Sequence, residues 1–382
     1  MNAVAVPIHV LVITTALPST MRNGGELWSQ TILDSLRRAK AEVTVLGFPH
    51  AGAALGQGEV RAAAVTAASR SAKLGSVLAA LRSVGGDAFT LSKWRSAGYR
   101  LTLEELLARR SWDLCVIDHV QMAWVLPLLG EVAIVYLAHH AEAALYARLA
   151  EAAGPIRRLA YAREAGLIAR AELALLRAAR ECWCLSGVDA ERLWKGAAGR
   201  VRVLPALCRP QDAGEEAGGN GPDVALLGNW RWRPNRDALR WFLDGVVPLL
   251  PESWSIAVGG DVDRSGLKAA ANVSFLAAVA DGPAFLRRAR RVAVPSLAAE
   301  GANLKLLDAI ASGRPVVASS AAARLIAELP ADVAVAESVD AFAAALRDPP
   351  APDCPGRQRW MTERAAMLDG AIVDALDSLR LG

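Results

Sequence analysis

The chain has 382 residues, of which 53% are hydrophobic and 21% are charged. This composition is typical of a globular protein, and the length exceeds what a single core usually organises, so two domains are expected. No apolar run reaches the roughly 18 residues that a membrane-spanning helix needs, and no segment resembles a nucleic-acid-binding motif. The five cysteines are an odd number, and three lie in apolar runs. They favour reduced thiols in a cytoplasmic protein.

The net charge of +4 is divided unevenly. Residues 1–205 carry 24 Lys and Arg against 17 Asp and Glu, a net charge of +7. Residues 206–382 carry 19 against 22, a net charge of −3. A basic first half favours contact with an anionic membrane surface or an acidic acceptor, which would make the protein peripheral at the inner face of the membrane. The alternative is that these arginines lie on solvated helix faces.

The first half alternates apolar runs with helical segments. Such near-continuous apolar strands predict an α/β domain with a parallel sheet covered on both faces. Residues 51–100 show little strand character and are predicted to form mobile helices, and a long helix is expected over Arg157–Arg180. The predicted strands are His9–Leu17, Glu42–Phe48, Asp113–Val120, Ala133–His139, Glu181–Ser186 and Val201–Pro205.

A second strand-helix series follows a polar linker and predicts a second α/β domain. Its last helix is expected around Arg359–Leu379. The domains are therefore placed at 1–205 and 223–355, with a linker at 206–222 and a terminal helical segment at 356–382. The predicted strands start at Val224 and continue with Ser255–Gly259, Val273–Ala277, Val292–Pro295, Val316–Ser319 and Val333–Ala336.

One stretch, Pro295–Ser319, has the pattern of a strand, a loop, a helix and a further strand. Asn303 is predicted to cap the helix and Gly313 to end it in a left-handed conformation. The carboxyl edge of a parallel sheet beside a helix N-terminus favours phosphate, and Lys305 adds a positive charge there. Asp308 lies close to the Lys305 face. A ligand with a phosphate and with hydroxyls for carboxylates, such as a nucleotide-sugar, would suit this arrangement.

The same stretch resembles the donor-binding signature of retaining glycosyltransferases of the GT-B architecture, family 4 type. That signature is a Glu, seven residues, a second Glu, and a small-residue helix that ends in Gly-x-Pro-Val-Val-Ala. Here Glu300 is followed after seven residues by Asp308, and the helix ends in Gly313-Arg-Pro-Val-Val-Ala318. The second acid is one methylene shorter than in the family. The alternative is an ordinary strand-helix-strand unit of a Rossmann-like domain.

The resemblance implies two Rossmann-like domains that face each other across a cleft, with an acceptor-side N-terminal domain and a nucleotide-sugar-binding C-terminal domain. It implies that Glu300 fixes sugar hydroxyls, that Asp308 grips the ribose, and that Lys305 stabilises the leaving diphosphate. The backbone of the same loop would complete the donor site. The donor-binding residues expected from this loop are Gly301, Ala302, Asn303 and Leu304.

Two further turns are assigned to the donor site by the resemblance. Gly24 and Gly25 stand between the first strand and the first helix, where paired glycines allow the close approach of a phosphate. Asn229 and Arg231 follow the first strand of the second domain. Many family members bind the pyrophosphate with a separate Arg and Lys, and Arg231 is expected to take the place of that pair here. The alternative is that Arg231 is a surface loop charge.

His139 ends a predicted strand and is assigned to the catalytic site, since the family often has a His near the transferred sugar there. The structural alternative for His139 is a core histidine. Asp261-Val-Asp263 spells the metal-binding triplet of the other glycosyltransferase architecture, but the surrounding order is that of GT-B. No metal and no cofactor are therefore expected.

The sequence thus predicts a metal-independent, retaining glycosyltransferase that uses a nucleotide-diphosphate sugar. The sequence leaves open whether the acceptor hydroxyl belongs to a glycan, a lipid-linked glycan, a small molecule or a protein. Two alternatives also stay open. One is a non-catalytic GT-B scaffold or partner subunit, and the other is a GT-B nucleotide-sugar epimerase or phosphorylase.

Overall fold

The computed structural model describes residues 7–20, 24–62, 86–151, 153–208, 221–268, 270–277, 279, 281–297, 304–324, 326 and 328–380. The contacts divide the chain into two compact units, Met1–Pro205 with Met367–Gly382, and Ala206–Ala366. Both are parallel α/β units, so the predicted fold class is confirmed. None of the described helices is both long enough and apolar enough to cross a bilayer.

The described part of the first unit contains a seven-stranded parallel sheet. Its order is β3-β2-β1-β4-β5-β6-β7. Strands β2 and β3 lie on one side of β1, and β4 to β7 lie on its other side, so the strand order reverses between β1 and β4. The core strands β4, β5 and β6 are buried at every residue. The strands are β1 His9–Ala16, β2 Glu42–Phe48, β3 Glu59–Arg61, β4 Leu114–Asp118, β5 Ile134–Ala138, β6 Glu181–Cys184 and β7 Arg200–Val203.

Helices cover this sheet. A 3₁₀ helix, Val120–Leu128, follows β4 directly. The described α-helices are α1 Gly24–Arg38, α2 Phe89–Ser92, α3 Ala97–Arg109, α4 Glu142–Glu151, α5 Pro155–Ala178 and α6 Gly187–Trp194.

The second unit repeats the plan with a six-stranded parallel sheet in the described residues. Its order is β10-β9-β8-β11-β12-β13, so the reversal falls between β8 and β11. The strands are β8 Val224–Leu227, β9 Ile256–Gly259, β10 Val273–Leu276, β11 Arg291–Val294, β12 Val316–Ser319 and β13 Val333–Ala336. The described α-helices are α7 Arg233–Trp241, α8 Gly282–Arg288, α9 Leu304–Ala311, α10 Ser320–Ala323, α11 Val339–Arg347 and α12 Cys354–Arg380.

Helix α12 belongs to both units. Its first turn is capped by Asp353, whose Oδ1 accepts the Gly356 N–H at 2.9 Å, so the helix begins five residues before the predicted Arg359. Near its end, Asp369 accepts Ser35 Oγ at 2.6 Å and pairs with Arg38 at 2.7 Å, which fixes the end of the helix to the first unit.

Two local predictions for the first unit were wrong. Residues 51–100 were predicted to form helices with little strand character, yet Glu59–Arg61 pairs with β2, because Val45 donates its backbone N–H to Gly58 and so aligns the two segments. The strand predicted over Asp113–Val120 ends at Asp118. His119 adopts φ 76°, which turns the chain out of the sheet into the 3₁₀ helix.

Candidate active site

The carboxyl edges of both sheets carry the polar side chains that the sequence singled out. In open parallel sheets, ligands bind outside the carboxyl ends of the strands, at the point where the strand order reverses. That point is β8/β11 in the second unit and β1/β4 in the first. Each edge forms a candidate site of its own.

At the edge of the second sheet, the turn after β8 is built for close packing. A Cβ on Gly228 would lie 3.1 Å from Cζ2 of Trp230 and 3.3 Å from Cδ of Lys305. Trp230 is 1% exposed, and its indole N–H donates to the carbonyl of Gly259 at 2.9 Å. The absence of a side chain on Gly228 therefore allows the lysine and the indole to meet against the strand.

Lys305 lies in the first turn of α9 and is held by neutral groups. Its Nζ donates to Oδ1 of Asn235 at 2.6 Å and lies 5.5 Å from the centre of the Trp230 ring. Burial lowers the pKa of Lys305 to about 8. No carboxylate of the described residues lies within ion-pair distance of this ammonium group. Among the described residues this half-buried charge has no anionic partner, an arrangement that favours the binding of an anion.

Arg231 and Asn229 occupy the exposed rim of the same turn. Arg231 Nε pairs with Oδ1 of Asp261 at 2.7 Å, and both side chains are more than half exposed. Oδ1 of Asn229 accepts the backbone N–H of Arg231 at 3.1 Å, and its carbonyl accepts from Asn235. The Arg231 pair is an exposed ion pair of small net energy, so an anionic ligand could replace Asp261.

The acidic triplet after β9 is engaged by arginines. Asp261 pairs with Arg231, and Asp263 pairs with Arg236 at 2.9 Å. Each of the two carboxylates of the triplet is therefore engaged by an arginine in an ion pair.

Helix α9 carries the remaining residues of the motif that the structure describes. Leu304 begins it, Asp308 is 4% exposed, and Gly313 adopts φ 71°, the left-handed conformation predicted for the residue that ends the helix. Glu300, Gly301, Ala302 and Asn303 lie outside the described residues. The ribose-binding role of Asp308 and the roles of the loop stay predictions.

At the edge of the first sheet, Gly24 and Gly25 form the first residues of α1. Oγ of Ser29 donates to Oδ2 of Asp118 at 2.7 Å and lies 3.1 Å from the carbonyl oxygen of Gly25. The glycine turn is thereby joined to the end of β4. Its predicted contact with a phosphate stays a prediction.

Asp118 is the centre of a buried hydrogen-bond network that the sequence analysis missed. It is fully buried, and its Oδ2 also accepts Oγ1 of Thr14 at 2.8 Å. Its Oδ1 lies 2.6 Å from Nε2 of His139. Burial by itself raises the pKa of Asp118, but the imidazoles of His119 and His139 and the hydrogen bonds from His139 and Ser29 outweigh it, so the pKa lies below its usual range. The carboxylate is ionised at neutral pH, and Nε2 of His139 is therefore the donor.

His119 completes the cluster. Its ring stacks on that of His139 with the centroids 3.7 Å apart and the planes at 19°. Burial, followed by the neighbouring His139, lowers the pKa of His119 to about 4, so this imidazole is neutral at neutral pH. The signal that could have revealed Asp118 and His119 is the one used for His139, namely polar residues directly after a buried strand.

The three side chains are also the one group of the described residues with metal-ligand geometry, since their ligating atoms lie within 4.8 Å of one another. The 2.6 Å between Asp118 Oδ1 and His139 Nε2 is a hydrogen-bond distance. Two atoms bound to one tetrahedral zinc ion would lie about 3.3 Å apart. The arrangement is therefore that of a hydrogen-bonded carboxylate and imidazole pair.

Comparison with known proteins gives a family match over part of the chain. Residues 221–348 match the family model described as Glycosyl transferases group 1. This match lies wholly within the second unit and includes α9 with Lys305 and Asp308. No curated protein sequence matches the chain.

Solved structures are similar over nearly the whole chain. WaaG, a glycosyltransferase involved in lipopolysaccharide biosynthesis, has a TM-score of 0.59 at 16% identity and covers 94% of this chain and 95% of its own. HepE of Anabaena, solved with UDP and glucose, has a TM-score of 0.61 at 16% identity, covering 97% and 100%. The trehalose-6-phosphate synthase OtsA has a TM-score of 0.59 at 15% identity, covering 97% and 99%.

These likenesses identify the fold as GT-B. Together, the family match over 221–348 and this fold support a glycosyltransferase.

Proposed function

We propose that the protein transfers a sugar from a nucleotide-diphosphate sugar to an acceptor hydroxyl, with retention of configuration and without a metal ion. The observation that carries this proposal is the half-buried ammonium of Lys305, which has neutral contacts to Asn235 and Trp230 at the reversal point of the second sheet. A diphosphate would supply an anion for this ammonium group. The similarity of the fold to HepE, which was solved with UDP and glucose, supports a nucleotide as the donor.

In the proposed reaction, Lys305 and the first N–H groups of α9 stabilise the negative charge that develops on the leaving diphosphate. Asp308 would hold the ribose and Glu300 the sugar hydroxyls. Arg231 would turn from Asp261 toward the phosphates, and Asn229 would fix the turn that carries it. Gly24 and Gly25 would let backbone approach the phosphate. The acceptor oxygen would form its bond to the anomeric carbon on the face that the diphosphate leaves, and its proton would pass to the leaving diphosphate oxygen. Attack on that face retains the configuration.

The first experiment is a melting-temperature panel with UDP, GDP, ADP, dTDP and their glucose conjugates, each in EDTA and in magnesium. Ligand at about a hundred times its dissociation constant stabilises the folded state by roughly 2.7 kcal/mol. We expect one nucleotide family to raise the melting temperature equally in EDTA and in magnesium. A shift that needs magnesium would contradict metal independence, and no shift with any member would favour the scaffold alternative.

Retention is tested separately once a donor is found. The coupling constant of the anomeric proton in the newly formed glycoside is measured by NMR, because the configuration of a glycoside is fixed in neutral water. An α-linked product from an α-linked donor would agree with retention, and a β-linked product would exclude it. Conversion of the donor in the absence of an acceptor would instead indicate an epimerase.

We also propose that helix α5 contacts an anionic membrane surface. Ile156 is 88% exposed and Leu159 is 75% exposed, three residues apart on one side of the helix. Arg157 and Arg158 beside them are exposed as well. Exposed aliphatic side chains flanked by arginines fit a bilayer with acidic headgroups, because the former enter the apolar boundary and the latter meet the charge.

The membrane proposal is tested by co-sedimentation with vesicles. The wild type should sediment with phosphatidylglycerol vesicles and not with pure phosphatidylcholine vesicles. The double change Ile156→Ser with Leu159→Ser should weaken binding to the phosphatidylglycerol vesicles. The control is Leu101→Ser on α3, which should leave this binding unchanged although the Leu101 side chain is 60% exposed. Equal binding by all three proteins would contradict a contact through α5.

A further inference from the structure

Asp118, His139 and His119 form a cluster that is layered from the interior outward. Asp118 is 0% exposed, His139 is 6% exposed, and the side chain of His119 is 21% exposed. Asp118 is fixed by two hydroxyls, and His139 is fixed by its hydrogen bond to Asp118. His119 lies on top, stacked on the His139 ring. The histidine that solvent reaches is therefore His119, and the predicted catalytic residue His139 lies beneath it.

The backbone of His119 is held in a conformation that favours glycine. It has φ 76° and ψ 142°, and it is one of three non-glycine residues with positive φ in the described chain. Its N–H donates to the carbonyl of Leu137 at 3.2 Å, and its carbonyl accepts from Met122 at 3.1 Å, so both sides of the turn are fixed. Such strained residues cluster at functional sites, where the surrounding structure over-determines them. A glycine here would avoid the strain but would lose the ring.

The chemistry of a neutral imidazole restricts what it can bind. One ring nitrogen donates and the other accepts, which matches the donor and acceptor of an alcohol. A phosphate would prefer a cation, and His119 is surrounded instead by the carboxylate of Asp118 and, more distantly, by Glu26 and Glu142. The negative surroundings disfavour an anion and are compatible with a hydroxyl.

We infer that His119 is the substrate-contacting imidazole of the first unit and that it binds a sugar hydroxyl, with Asp118 and His139 as its positioning residues. The inference rests on the proposed glycosyl transfer and assigns one contact within it. It moves the substrate contact from His139 to a neighbour twenty residues earlier. In this arrangement Asp118 fixes the His139 ring plane, and that plane fixes the His119 ring.

The test is the rate of carbethoxylation by diethyl pyrocarbonate, read for each histidine by peptide mass spectrometry on the full-length chain. His119 should react several-fold faster than His139. His9, with 21% side-chain exposure at the opposite end of β1, is the matched internal control. Faster reaction of His139 than of His119 would overturn the layered assignment without any reference to transfer activity.

The contact itself is tested by protection against the same reagent. The probes are the four free nucleotides of the melting panel, their glucose conjugates and methyl glucoside. Slower reaction of His119 with a glucose conjugate but not with its free nucleotide would assign the contact to the donor sugar. Slower reaction with methyl glucoside would assign it to the acceptor. In either case His9 should be unaffected.

Two outcomes separate this inference from the proposed function. If a nucleotide-sugar raises the melting temperature but neither it nor methyl glucoside protects His119, the inference fails and the donor assignment stands. If no nucleotide binds and no probe protects His119, both fail. Faster reaction of His119 and His139 after EDTA treatment, reversed by zinc, would show a metal site and overturn the inference.

The strain argument has its own pair of variants. His119→Gly and His119→Ala both remove the ring, but only alanine keeps the unfavourable positive φ. We expect the glycine variant to melt at the higher temperature of the two, and both to let His139 react several-fold faster than in the wild type. Equal melting temperatures, with unchanged reactivity of His139, would contradict the role of His119 as a strained cover on His139.

Discussion

The two candidate sites occupy equivalent places in their sheets but differ in charge and in completeness. In the first unit, the buried anion of Asp118 accepts hydrogen bonds from Thr14, Ser29 and His139. In the second, the half-buried cation of Lys305 has a neutral amide and an aromatic ring as partners. The first network is satisfied within the protein, whereas the partners that the structure describes for Lys305 leave its charge available for a ligand. The hydrogen-bonded carboxylate of Asp118 stabilises the first unit and orients its neighbours, whereas the ammonium of Lys305 is available to bind an anionic ligand.

The comparison predicts that Asp118→Ala has the largest effect on stability. It would leave two hydroxyls and an imidazole without their buried acceptor, and breaking such a charged network costs roughly 3–5 kcal/mol of unfolding free energy. The measurement is urea unfolding of the full chain. Asp87→Ala is the control, because its pair with Arg95 is about half exposed and should contribute less than about 1 kcal/mol. Equal losses of unfolding free energy in the two variants would contradict the stabilising role of the hydrogen-bond network around Asp118.

The second prediction is that Lys305→Met acts on binding and not on stability. Loss of a charged hydrogen bond to the diphosphate costs roughly 1.5–3 kcal/mol, or about 10- to 150-fold in nucleotide affinity. The melting temperature without ligand should not fall, since burial of the ammonium is itself unfavourable. Calorimetric titration of the nucleotide measures the first effect. Lys268→Met, at an exposed lysine of the same unit, should leave affinity unchanged.

The third prediction concerns pH. The pKa of Lys305 is lowered to about 8 by burial, and an anionic ligand binds the protonated form. Affinity should therefore be constant below pH 8 and fall above it, by up to about tenfold per pH unit. The nucleotide phosphates are already ionised in this range, so the change reports on the protein. An affinity that stays level to pH 10, or the same decline in Lys305→Met, would count against Lys305 as the phosphate contact.

The smallest expected effect concerns the helix that carries Lys305. Gly313 has φ 71° and open space where a Cβ would point, so Gly313→Ala should cost about 1 kcal/mol through backbone strain alone. Gly370 lies within α12, also with open space, and Gly370→Ala should stabilise by roughly 0.5–1 kcal/mol. Thermal unfolding compares the two variants. A gain in both would mean that the left-handed turn is not what ends α9.

Much of the fold followed from local pattern. Strands β2, β12 and β13 have the bounds that their apolar runs predict, and Gly313 ends α9 as its position after the last buried turn requires. The second site was accessible to sequence reasoning for the same reason. Lys305 and Asp308 lie on one short helix, so their spacing alone places them at one end of one element.

The first site was decided by tertiary structure. Thr14 is 104 residues from Asp118 and Ser29 is 89 residues away, and only the pairing of β1 with β4 brings them together. The end of β4 was also placed too late, because apolar residues resume directly after Asp118 and His119 and form the 3₁₀ helix. The sequence determined which segments become strands and where a cation would be presented. The sheet order decided which distant hydroxyls and imidazoles satisfy the buried carboxylate, since hydrogen bonds form between neighbours in space.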